Sequence, residues 1–177
     1  MKTLYDGSTF EVNGVQFRVN FEHDSDRSPL DCDGHGPVRQ SNYCHIDGKS
    51  DKKPGERPLN QAGRNEYQFY YDWTAACKAA KKDGWNCEPF DAPNRVERAV
   101  KADFDYLRGF YCNDWNYVGV IVSRLDDDGE ETGEQTSLWG VETHKNYHCD
   151  VALEIAGELL GESESKAAEV EAHYLGM

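Results

Sequence analysis

The sequence predicts an α+β fold: an antiparallel sheet of two hairpins, with helices packed on one face, in the order β-β-α-α-β-β-α-α. Three observations carry this. Two strand-like runs flank Asn13-Gly14, a dipeptide suited to the positive φ angles of a tight hairpin turn. A second β-branched run, Tyr117 to Leu125, is followed by an acidic turn and a return segment. Between and after the hairpins, apolar residues recur at three- and four-residue steps, the period of a helix with one buried face.

Taken in order, Thr9 to Val12 and Val15 to Phe21 form the first hairpin. Phe17, Val19 and Phe21 alternate with Gln16, Arg18 and Asn20, so one face of this strand is apolar. Residues 23–63 hold Pro29, Pro37, Pro54 and Pro58 among several glycines and show no sustained period. They read as a long loop with short strand pieces, for example around Tyr43 to Ile46. Glu66 to Asp83 reads as a helix, with Phe69, Tyr70, Trp73, Ala76, Cys77 and Ala80 inward and Gly84 as its stop. A second helix starts after Asp91, with Pro93 in its first turn and a stripe of Val96, Val100, Phe104, Leu107 and Tyr111. In the second hairpin, Tyr117–Leu125 pairs with Gln135–Glu142 across a turn at 126–133. The C-terminal region, about 147–175, reads as a helix from Tyr147 to Leu160, an interruption at Gly161 and a further amphipathic piece from Ser165 to Leu175.

The 177 residues suit a single domain, because two cores would each approach the size at which burial becomes marginal. The longest plain apolar run, Val118 to Val122, is far short of a membrane span. Polar residues directly after Met1-Lys2 break any export signal, so the six cysteines are expected as reduced thiols in a cytoplasm. The net charge of −14 argues against direct binding to a nucleic-acid backbone. That charge is uneven: residues 1–100 hold 14 basic and 16 acidic side chains, residues 101–177 hold 5 and 17.

Several segments together resemble a group of small acidic phage-encoded proteins. They are Asp33-Gly34-His35-Gly36-Pro37, Pro54-Gly55-Glu56-Arg57, Tyr71-Asp72-Trp73, Asp83-Gly84-Trp85, Trp115-Asn116-Tyr117-Val118-Gly119-Val120 and Ser137-Leu138-Trp139-Gly140. The resemblance spans about residues 30–160. It implies a phage or prophage origin and a host cytoplasm, and it carries no catalytic residue with it.

Asp150, Glu154, Glu158 and Glu162 are spaced by four and form one ridge on a helix. Four residues rise about 6 Å, against about 6.8 Å for two phosphate steps of a DNA strand. Asp126, Asp127, Asp128, Glu130 and Glu131 form a second acidic group at the hairpin turn. Carboxylates displayed like phosphates would occupy the basic groove of a nucleic-acid-binding protein. The expected function is therefore that of a non-enzymatic inhibitor, a DNA mimic of anti-restriction or anti-CRISPR type. Its partner would be a basic host or defence protein, with no cofactor. The plainer alternative is a solvated helix face and turn.

Two other readings remain open. A zinc site could use Cys32, His35, Cys44 or His45 in the loop, although adjacent Cys44 and His45 cannot easily both bind one ion. A small enzyme could use His35, between two glycines, as a base. The common nucleotide-binding and hydrolase motifs are absent.

Overall fold

The computed structural model describes residues 3–44, 51–61, 66–85 and 93–175, and the side chains of these except 42–44 and 162–175. The fold is α+β, with two antiparallel sheets. The chain divides into two compact units, Met1–Arg27 with Asn116–Met177, and Ser28–Trp115.

The first unit contains both predicted hairpins. Strand β1 (Thr9–Val12) and β2 (Val15–His23) meet at Asn13 (φ 51°) and Gly14 (φ 83°), the two left-handed residues of the tight turn. Strands β6 (Tyr117–Leu125) and β7 (Glu131–Glu142) form the second hairpin. Antiparallel pairing of β2 with β6, Val19 opposite Val122, joins them in the order β1-β2-β6-β7. A period of two puts Phe17, Val19, Val118, Val120 and Val122 on one face, where helix α3 (Tyr147–Leu175) covers them with Val151, Ala152, Ile155, Ala156, Leu159 and Leu160. Each large apolar side chain so buried contributes about 1.5–3 kcal/mol. The helix is continuous through Gly161, where an interruption was expected. A helical glycine costs about 1 kcal/mol relative to alanine, a penalty that need not break a helix anchored by the buried stripe before it.

The second unit departs further from expectation. Residues 38–44 and 56–58, inside the expected loop, form β3 (Val38–Cys44) and β4 (Glu56–Pro58). Both pair with β5 (Tyr67–Asp72), giving a three-stranded sheet in the order β3-β5-β4. The expected helix over 66–83 is therefore two elements: β5, then α1 (Trp73–Asp83). Tyr67-Gln68-Phe69-Tyr70-Tyr71 is an aromatic run that fits a half-buried strand. Asp72 then caps the helix by accepting a hydrogen bond from the Ala75 amide at 2.8 Å. Helix α2 (Arg95–Tyr111) begins after Asn94, so Pro93 lies before the helix and not in its first turn; Asp91 lies outside the described residues. Its expected stripe holds: Val100, Phe104 and Leu107 are buried with Leu59, Tyr71, Ala76 and Ala80, and Val96 and Tyr111 pack beside them.

This unit also encloses charge. Arg39 donates to both carboxylate oxygens of Glu56, Nε and Nη2 each at 2.8 Å, and through Nη1 to Asp51 at 2.9 Å. The same Glu56 accepts the Lys53 amide at 2.7 Å. These bonds from Arg39 hold the Glu56 and Asp51 carboxyls below their usual range and push the guanidinium higher still.

Candidate functional site

The charge that looked C-terminal in the sequence follows the division into units. The first holds 6 basic and 19 acidic side chains, net −13; the second holds 13 and 14, net −1.

On α3 the buried residues fix which face turns outward. With Val151, Ala152, Ile155 and Ala156 against the sheet, Glu154 and Glu158 are exposed, and neither side chain has a hydrogen bond or ion pair with any described residue. Asp150 is half-buried in the first turn, where a carboxylate complements the helix dipole. Glu162 lies on the same helix, but its side chain is outside those described.

The acidic turn sorts into two kinds of carboxylate. Asp126 is part of the turn itself: its Oδ1 accepts the amides of Asp128 at 3.0 Å and Glu130 at 2.9 Å. Glu131 pairs with Arg18 at 3.1 Å, across β2, β6 and β7. The side chains of Asp127, Asp128 and Glu130 are exposed and carry no bond to a described residue. Of the nine acids singled out, Glu154, Glu158, Asp127, Asp128 and Glu130 are thus free to meet an outside partner. All of them lie in the acidic unit.

His35 belongs to a different constellation, which the sequence reading reached only in part. Asp103 of α2 accepts three hydrogen bonds: from His35 Nδ1 at 2.5 Å, from the Gly36 amide at 2.8 Å and from the Tyr71 hydroxyl at 2.7 Å. Burial, reinforced by the adjacent Asp103 carboxylate, pushes the Tyr71 phenol far up, so it remains a donor. Because a carboxylate only accepts, the bond assigns a proton to His35 Nδ1, and in that neutral tautomer the lone pair would be on Nε2. The imidazole stacks on Tyr106, centroids 5.5 Å apart and planes 7° from parallel. Beside it lies an open pocket of about 390 Å³, walled by Trp85, Ala99, Ala102 and Tyr106. Gly36 is required here, because a Cβ would sit 2.4 Å from the Tyr71 hydroxyl oxygen.

Asp103 was not singled out from the sequence. The available signal was an acid beside the buried stripe of α2, one residue before Phe104, where a solvated carboxylate is out of place.

For the zinc alternative, Cys32 is exposed, while the Cys44 side chain and His45 lie outside the described residues. Among the described residues no three His, Cys, Asp or Glu side chains come together in a way that could hold a metal. Nor is any described helix long and apolar enough to cross a membrane. Comparison with known proteins finds no matching family model, no matching curated protein and no matching solved structure.

Proposed function

We propose that the acidic unit binds and blocks the basic, nucleic-acid-binding surface of a host or defence protein, as a phage-encoded inhibitor. The observation that carries this is the segregation of charge: net −13 on one unit, with outward carboxylates on α3 and on the β6–β7 turn that no cation among the described residues neutralises. Such a surface steers a positively charged partner toward it at rates that fall steeply with salt, because charges more than about 8 Å apart are screened at physiological ionic strength. Affinity capture from host lysate with the full chain, after nuclease treatment and at low and high salt, tests it. The expected result is a basic nucleic-acid-binding protein retained at low salt and released at high salt. Equal capture by the Glu154→Lys, Glu158→Lys double variant would remove the α3 ridge as the binding site.

A second reading, a small hydrolytic enzyme using His35 as general base, is favoured by the Asp103 geometry, which orients a ring that lines a pocket. Chromogenic ester and phosphodiester substrates test it. Turnover that disappears in His35→Ala supports this reading, and turnover absent from the intact chain or unchanged in the variant ends it.

A further inference from the structure

The second unit has nearly balanced charge, yet the guanidiniums of Arg57 and Arg108 meet no carboxylate among the described residues. Both are exposed, and neither side chain forms a hydrogen bond or ion pair with a described residue. Both line one cavity of about 550 Å³. Its apolar lining includes Leu59, which is fully buried, Phe104 and Tyr111.

The two guanidiniums are positioned differently. Arg57 on β4 sits over the indole of Trp73, its Cζ 3.2 Å from the ring centroid. That contact restrains the guanidinium while its N–H groups remain available to an acceptor. Arg108 comes from the last turn of α2. Two other polar groups of the lining, on Asn60 and Cys112, are already occupied. The Asn60 amide donates to the Tyr67 carbonyl and accepts from Gln68 and the Phe69 amide, and the Cys112 thiol donates to the Leu59 carbonyl.

We propose that this cavity binds a small organic anion, with a phosphate or carboxylate group on Arg57 and Arg108 and its apolar body against Leu59, Phe104 and Tyr111. Guanidinium groups match such oxyanions with paired, charge-assisted hydrogen bonds. Glu66 also lines the cavity, so among the described residues two cations stand against one carboxylate. That balance suits a singly or doubly charged molecule and disfavours a nucleic-acid strand. The site is independent of the acidic surface and survives if that reading fails.

The test is a titration of the full ¹⁵N-labelled chain with phenyl phosphate, benzoate and neutral benzyl alcohol, followed on the arginine Nε–H resonances. The expected result is saturable shifts of Arg57 and Arg108 with one or both anions below about 10 mM, and none with the alcohol. Whichever anion binds more tightly identifies the headgroup. Arg108→Gln and Arg57→Gln each lower the affinity about tenfold, as does Arg57→Lys, which keeps the charge but loses the paired N–H donors of a guanidinium. Circular dichroism confirms that each variant folds. No shift with either anion, or equal shifts with benzyl alcohol, overturns the proposal, as does unchanged affinity in the folded variants.

Discussion

The two units use charge in opposite ways. In Ser28–Trp115, three acids are at least partly enclosed and matched to donors: Glu56 and Asp51 on Arg39, and Asp103 on His35, Gly36 and Tyr71. In the unit of Met1–Arg27 and Asn116–Met177, the buried cluster is largely aliphatic and aromatic, and acids crowd its surface with few cations to meet them. A buried carboxylate without donors would cost several kcal/mol, so the first pattern ties charge to the fold. An exposed carboxylate costs little and remains available to a partner, so the second leaves charge for binding.

This contrast is broken most severely from inside. Phe17→Ala, at a fully buried site under α3, is expected to destabilise the protein by about 3–5 kcal/mol in denaturant unfolding. Its effect reports an apolar core, with little dependence on salt. Glu56→Ala leaves Arg39 with only Asp51 and is expected to cost about 3 kcal/mol. A loss below about 0.5 kcal/mol would show that the enclosed charges do not hold their unit together.

Asp103→Asn is expected to cost about 1–3 kcal/mol, because one of three donors then faces an amide N–H₂ in place of an oxygen. It should also change the tautomer of His35, read from the ring ¹⁵N shifts. An unaltered His35 spectrum would mean that the bond does not set the tautomer.

Acidification should separate the units. His148 is partly buried against Phe21, and desolvation lowers its pKa, opposed by Asp150. Its contribution to stability is complete above the unfolded value of about 6.5 and is lost as pH falls through the folded value. Glu56 and Asp51 are also lowered, from the usual carboxylate values, so their contribution is present above about 4.5 and declines below it. Hydrogen exchange across a pH series should show protection weakening first around α3 and β2, then around β3 and β4. The reverse order would contradict both assignments.

The smallest expected effect is on the outside. Glu154→Lys with Glu158→Lys should change stability by no more than about 0.5 kcal/mol, since it exchanges one exposed like-charge pair four residues apart for another. A large loss would mean that these side chains serve the fold, which would undercut their role as a binding surface.

The local signals were sound wherever one element carried its own period. Asn13-Gly14 specified its turn, Phe17-Val19-Phe21 its buried face, and Val96 to Tyr111 the stripe of α2. They failed at residues 66–72, where aromatic residues at helical spacing equally fit a strand. Only the pairing of Arg39 with Tyr70 and of Arg57 with Tyr71 decides for the strand. For the candidate sites, the outward position of Glu154 and Glu158 was legible, because helical periodicity alone opposes them to Ile155 and Ala156. The distinction between Asp126, consumed by its turn, and Asp127 was not.

The sequence by itself therefore determined the α+β class, both hairpins, the stripe of α2 and the outward position of Glu154 and Glu158 on α3, since turn chemistry and periodicity act between residues a few positions apart. Tertiary structure alone decided the second sheet, the meeting of His35 with Asp103 across 68 positions, and the gathering of residues 1–27 with 116–177 into one acidic unit. Each depends on which distant segments pair, and that choice is made by the joint burial of many side chains rather than by any single stretch of chain.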